Sequence, residues 1–446
     1  MRPEIHFTPV RNWMNDPVGL IYYQGNYHLF YQYFPYEKKW GTMHWGHAVS
    51  RDLLRWRHLP VALYPSRLED CNGCFSGSAV EDDGKMYLFY TGVRYDKVCR
   101  DNIHQSENEL FTSCQMGIVS EDGLTFDSNG KKLLIPAFED QKLGSRVHTR
   151  DPKVWKDSYG WHMVLGSQCE QEGELMGQLL FYESRNAETW SFQNRCLMPG
   201  EAMLECPDLF QEESSWILLA SFMERGRGDE PAHISCGGIV EYNPKTGALK
   251  ADVSRLIPLD AGMDLYAAQT MKDADGRNVM LAWIRMPESF EGEGWIGMLT
   301  LPRVISVKNG RLRYAVHPFV KEQFTISCRP EMFFHAAVQI QAELEEDGKI
   351  DIGGYLIERR GRLLRTDRKQ VFPENAVRWL RETETELAGD RCHLEIYVDH
   401  GVVEIFANKG ETVITQAVYG MQERFFCENV IALSCRRMEE QNLLQH

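Results

Sequence analysis

Apolar residues over positions 1–310 come in short runs closed by Gly, Asn, Asp and Pro, and no stretch keeps the 3.6-residue period of a long helix. Five of these runs resemble one another: Gly25-Asn26-Tyr27-His28-Leu29-Phe30-Tyr31, Gly84-Lys85-Met86-Tyr87-Leu88, Gly160-Trp161-His162-Met163-Val164-Leu165, Ser214-Ser215-Trp216-Ile217-Leu218-Leu219 and Gly276-Arg277-Asn278-Val279-Met280-Leu281. The steps between them are roughly 55 to 75 residues, a period of strands rather than helices, which predicts a propeller. A second element recurs out of phase, with a Ser, a turn-former and a closing aromatic: Ser50-Arg51-Asp52 to Trp56, Ser120-Glu121-Asp122 to Phe126 and Ser184-Arg185-Asn186 to Trp190. These are turns into an outer strand, so each blade is expected to hold four antiparallel strands around a central channel. Such a ring leaves only short edges, and the absence of helical periods disfavours an α/β barrel.

The texture changes after Leu301-Pro302-Arg303. Residues 335–358 and 391–420 alternate apolar and polar positions, and Asp399-His400-Gly401 marks a hairpin between two such strands. The fold class expected is therefore all-β: a five-bladed β-propeller over 1–315, a linker over 316–330 and a C-terminal β-sandwich over 331–446. A helical or irregular insert is expected near 373–388. The basic stretch Arg359, Arg360, Arg362, Arg365 and Arg368 is read as a solvated face.

A chain of 446 residues suits two domains, and a net charge of −15 argues against nucleic acid and anionic membranes as partners. No secretory signal and no long apolar span is visible, although a chain whose leader had been removed would read the same. The 12 cysteines are dispersed apart from Cys71 and Cys74, which suits free thiols in a cytoplasmic location. Neither that pair nor His44 and His47 carries the further ligands of a metal site, so no metal and no cofactor is expected.

Chemistry enters through three triplets, Asn15-Asp16-Pro17, Arg150-Asp151-Pro152 and Glu205-Cys206-Pro207, each lying about nine residues ahead of a recurring run. Any one alone is an ordinary turn. In phase, they place Asp16, Ser76, Asp151, Glu205 and either Asp264 or Tyr266 around one funnel if the motif strands are innermost. Convergent carboxylates serve glycosidic bond cleavage, in which one group protonates the leaving oxygen and another attacks. Asn15 is expected to keep Asp16 ionised and Arg150 to keep Asp151 ionised, while less polar surroundings raise Glu205 toward an acid role. Trp13, Trp40, Trp45, Phe75 and Trp295 are available as flat faces for a sugar ring.

These motifs, with Trp40-Gly41-Thr42-Met43-His44-Trp45-Gly46-His47, Phe75-Ser76-Gly77-Ser78, Asp264-Leu265-Tyr266-Ala267 and Val403-Glu404-Ile405-Phe406, closely resemble glycoside hydrolase family 32, the β-fructofuranosidases. The resemblance spans nearly the whole chain. It implies a retaining hydrolase that releases terminal fructose from sucrose, sucrose 6-phosphate or short fructo-oligosaccharides, a small sugar being the partner. Asp16 would be the nucleophile, Glu205 the acid and then base, and Asp151 the transition-state stabiliser, with an Asp16–Glu205 carboxyl separation near ~5.5 Å. Trp13, Asn15, Gln32, Trp40, Phe75, Ser76, Arg150, Tyr266 and Trp295 would bind the substrate. Val18 departs from the Asn usual after Asp-Pro, which removes a polar link behind the nucleophile and is expected to alter its support or the leaving-group preference rather than abolish the reaction, since all three carboxylates remain. A fructosyltransferase with the same residues and a non-catalytic sugar-binding propeller are the alternatives. A phosphorylated leaving group would call for cations at the rim, and Arg94, Arg225, Arg227 and His233 are the candidates by loop position.

Overall fold

Each of the five recurring apolar runs forms the second strand of a blade of four successive antiparallel strands, three of the blades gaining a short fifth strand, and the motif segment ahead of the run forms the first. The computed structural model describes residues 2–171, 173–227, 230–374 and 378–439. We label the first strands of the five sheets β1 (Asn12–Tyr23), β2 (Gly73–Asp82), β3 (Arg150–Asp157), β4 (Met203–Glu212) and β5 (Leu265–Lys272). They stand side by side around the axis of a five-bladed β-propeller. The Ser-Asp and Ser-Asn turns lead into outer strands: Asp52 Oδ1 accepts from the amides of Leu54 and Arg55, and Asp122 and Asn186 repeat the pattern.

Separate apolar layers fill the space between neighbouring blades. Phe30, Trp45, Leu88 and Tyr90 pack between the first two blades, Phe89, Trp161 and Leu180 between the next two, and Leu204, Leu218 and Phe222 beyond them. The ring closes where Trp295–Ile296 pairs in parallel with Asn12–Trp13. Gly297, at φ +94°, permits this, because a Cβ there would lie 1.9 Å from the Met14 carbonyl oxygen.

Trp295 is therefore not a substrate platform. It is 1% exposed, its indole N–H donates to Glu293 at 2.7 Å, and it packs in the closing seam with Phe290 and Ile296. Its place on the closing strand turns it away from the channel.

After strands Arg303–Lys308 and Arg311–Val316 and the short helix Pro318–Lys321, nine strands form a β-sandwich. The long strand Val338–Ile352 pairs with His393–Asp399 through its first half and with Tyr355–Arg360 through its second. Of the insert expected over 373–388, residues 375–377 lie outside the described ones. The rest is a one-turn helix, Arg378–Arg381, leading into the paired strand Glu382–Glu386. Among the described residues no helix is long and apolar enough to cross a membrane.

The basic stretch is not uniformly a solvated face. Arg368 is 0% exposed and pairs with Asp264 of the propeller, because the end of its strand abuts the fifth blade.

Candidate active site

All five inner strands break register at the same height. The shifts fall between Met14 and Pro17, Phe75 and Gly77, Arg150 and Lys153, Glu205 and Asp208, and Tyr266 and Gln269. A bulge re-aims the side chains beside it, and five in phase turn one row of residues toward the channel mouth. Asp151, Cys206 and Ala267 take φ of 65°, 46° and 53° at these points. Glycine allows the close approach of the third and fourth blades: a Cβ on Gly166 would sit 2.1 Å from the Leu204 carbonyl oxygen.

The mouth holds a cavity of about 570 Å³ lined by Asp16, Asp151 and Glu205. Trp13, Asn15, Gln32, Trp40, Phe75, Ser76, Arg150 and Tyr266 also line it. Ser76 Oγ donates to Asp16 Oδ2 at 2.6 Å and Asn15 Nδ2 to Asp16 Oδ1 at 3.0 Å, while the Trp13 indole fixes Asn15 at 2.9 Å. Arg150 Nη2 and the Tyr266 hydroxyl clasp Glu205 from two sides, at 2.8 and 2.6 Å. The Cys206 amide donates to Asp151 Oδ2 at 2.9 Å. Its thiol lies 3.5 Å from Asp16 Oδ2 and 3.6 Å from Asp151 Oδ2, so one side chain touches both carboxylates. Trp40, edge-on to Phe75, stands half-exposed at the entrance.

Residues 6–318 match the family model described as the glycosyl hydrolases family 32 N-terminal domain, and residues 350–429 match that of the family's C-terminal domain. The chain belongs to glycoside hydrolase family 32. It is 33% identical over 451 residues to a sucrose-6-phosphate hydrolase of Escherichia coli, with 94% of this chain and 90% of the relative covered. It is 32% identical over 443 residues to a raffinose invertase of the same species, covering 94% and 89%. Its fold is similar to that of a family 32 β-fructofuranosidase from Bombyx mori, with TM-score 0.80, 25% identity, and 98% and 94% of the two chains covered.

The electrostatics of this family 32 site reverse the order expected from sequence neighbours. Burial pushes Asp16 up to about 6, with the Glu205 charge adding to it and the Ser76 and Asn15 hydrogen bonds opposing it. Burial likewise pushes Asp151 up to about 7, and the Arg150 charge does not outweigh it. Glu205 is buried too, yet Arg150 and Tyr266 hold it below the ordinary carboxylate range. The cause is direction: the guanidinium of Arg150 reaches across to the fourth blade at 2.8 Å, leaving Asp151 at 3.9 Å. Burial and the Glu205 charge keep the Tyr266 hydroxyl protonated, so it remains a donor.

Several lining residues escape the sequence reading. Trp283 packs edge-on against Trp13 at 5.8 Å and is paired across the ladder with Tyr266, a position legible only once that register is known. His148 lies two residues before Arg150 and accepts from it at 3.1 Å; burial and the same Arg150 bring it down to about 4, so it is neutral. Tyr95, Phe111 and Glu109 reach the cavity from the second blade. Asp264 does not line the funnel, and Val18 is wholly buried between the first two blades, replacing a polar link with apolar contact. Trp45 is also core, its indole bonded to the Phe75 carbonyl. His44 Nδ1 donates to the Thr42 carbonyl oxygen at 2.9 Å, and His47 stacks on Phe30. Of the rim cations, Arg94 is not among the cavity-lining residues, His233 lies edge-on to Tyr266 at 5.9 Å, and the side chains of Arg225 and Arg227 lie outside the described residues.

Proposed function

We propose that Asp16, Glu205 and Asp151 carry out a retaining cleavage of terminal β-fructofuranosyl groups from sucrose-type substrates. The chain is a glycoside hydrolase that acts on β-fructofuranosides. The observation that supports these roles is the convergence of three carboxylates from three blades, each with different partners.

An Asp16 carboxylate oxygen attacks C2 of the fructosyl group as the C2–O bond breaks, and the leaving oxygen takes the proton of Glu205. Glu205, now charged, draws a proton from water. The water oxygen bonds to C2, and the ester to Asp16 breaks. Forming that ester removes the Asp16 charge from the cluster, which favours the ionised Glu205 needed in the second step. Before substrate arrives, the cluster titrates as a unit, and its shared proton must lie on Glu205 when the bond breaks. Asp151 binds sugar hydroxyls more strongly as positive charge develops on the ring. Trp40 and Phe75 offer flat faces for the sugar.

Hydrolysis rather than transfer is the reading favoured by relatives named as hydrolase and invertase. Asp16→Ala should lower sucrose turnover by about 10⁴-fold or more while the thermal transition stays cooperative. Near-normal turnover in that variant would sink the assignment. The ratio of kcat/KM for sucrose and sucrose 6-phosphate reads whether the leaving sugar carries phosphate.

A further inference from the structure

We propose that Arg368, in the C-terminal sandwich, is a positioning residue for the acid of this reaction: through Asp264 it holds Tyr266 against Glu205. This rests on Glu205 being the acid. Arg368 Nη1 and Nη2 donate to the two carboxylate oxygens of Asp264 at 2.5 and 2.7 Å. The guanidinium is itself fixed by the carbonyls of Leu380 and Ala417, both at 2.7 Å, and lies over the Phe372 ring. The Ala417 amide gives Asp264 a third donor at 2.8 Å. All three donors come from the sandwich, so this propeller side chain is gripped by the other domain.

Asp264 begins the short segment that ends at Tyr266, the donor to the acid. Only Leu265 and Tyr266 pair with the neighbouring strand before the register breaks, so β-pairing alone holds this end weakly. Beyond Tyr266 the Ala267 amide donates to Ser221 Oγ at 3.0 Å, and on the other side the anchors run through Asp264. Its carbonyl accepts from the Arg285 amide at 2.9 Å, and the Arg285 guanidinium lies 5.1 Å from the Tyr266 ring centre. Tyr266 then donates to Glu205 at 2.6 Å. A buried ion pair is poor evidence of net stabilisation against an apolar replacement, whereas a bidentate pair fixes direction. Two residues from the donor to Glu205, direction is what the reaction uses.

The test is leaving-group dependence in Arg368→Lys and Asp264→Asn, measured on the full chain. Sucrose needs its leaving oxygen protonated, whereas β-fructofuranosyl fluoride departs with little help. kcat/KM reports bond cleavage for both. If Tyr266 and Glu205 are displaced, kcat/KM for sucrose falls about tenfold more than for the fluoride. Tyr266→Phe should give the same bias, and adding Arg368→Lys to it should give little more. Equal losses on both substrates, or no loss in a folded variant, would overturn the inference. Asp264→Asn keeps the shape of the site and supplies the answer if Arg368→Lys does not fold. Glu205→Gln separates the two levels. If it shows the bias and the other variants do not, the acid assignment stands and the role of Arg368 falls; if it shows none, the acid assignment falls.

Discussion

Among the described residues, three carboxylates meet at the domain interface and three at the channel mouth, and the two groups are neutralised in opposite ways. At the interface between propeller and sandwich, Arg303 reaches Asp260 at 3.2 Å and Glu404 at 2.9 Å, and His6 bridges Asp399 at 2.9 Å and Glu404 at 3.1 Å. Backbone amides complete it: Asp399 accepts from Glu4 and Ile5, Glu404 from Leu301, and Asp260 from Gly262 and Thr415. Burial works against the charges of Asp399 and Glu404, yet His6 and Arg303 hold both below the ordinary range; Asp260 alone is raised by burial. At the channel mouth, by contrast, Arg150 is the lone cation lining the cavity among the described residues, and of the three carboxylates Asp151 accepts from a backbone amide, that of Cys206, while Asp16 and Glu205 are held by side chains. Satisfied charge joins two domains. Under-satisfied charge leaves carboxylates whose proton affinity is high enough for chemistry near neutral pH.

Cancelling one charge at the mouth should separate the two clusters most widely. Asp151→Asn should lower kcat/KM for sucrose by about 10³-fold or more, yet raise stability at pH 8. The sign follows from a folded value near 7 against an ordinary value of about 3.9. The protonated form's contribution is full below about pH 3.9 and is lost as pH rises through about 7, so the amide gains its advantage across that window and holds it in full above. Calorimetry at pH 4 and 8 reads this, and a less stable variant at pH 8 breaks the comparison.

Removing a charge at the interface should do the reverse. Arg303→Met strands Asp260 and Glu404 and should cost about 3–5 kcal/mol of stability. Sucrose kcat/KM per folded molecule should stay within about twofold. A selective loss of catalysis with little unfolding in urea would show that the interface is not merely structural.

A smaller effect concerns His6, which its two carboxylates raise to about 9 even though burial opposes the charge. Its contribution is full below about pH 6.5 and is lost as pH rises through 9. Wild-type Tm should therefore decline across that window, and His6→Gln should flatten the decline. A variant with the wild-type slope would remove His6 as the cause. The smallest change is expected from Trp295→Phe, which lies in the closing seam. It should cost about 1 kcal/mol of stability and leave KM for sucrose within about twofold; a large rise in KM would return Trp295 to the substrate site.

Much of this was legible along the chain because its causes are local. The Ser-Asp turns satisfy their own amides, the apolar runs mark second strands, and the period places Asp16, Asp151 and Glu205 at one height. The family motifs carried the chemistry. What is not legible has a common form. An aromatic residue near a motif suggests a sugar platform, but the closing strand buries Trp295 in the seam. Sequence neighbours suggest that Arg150 serves Asp151, but its side chain crosses to Glu205. Arg368 follows exposed arginines, but its strand ends against the fifth blade.

The sequence by itself determined the all-β class, the fivefold phase and the carboxylates that converge, since each depends on spacing and on residue type within a few positions. Only the tertiary structure decided which carboxylates hold protons and what the sandwich grips. Proton affinity depends on burial and on charges a few ångströms away, and those neighbours come from other blades and another domain.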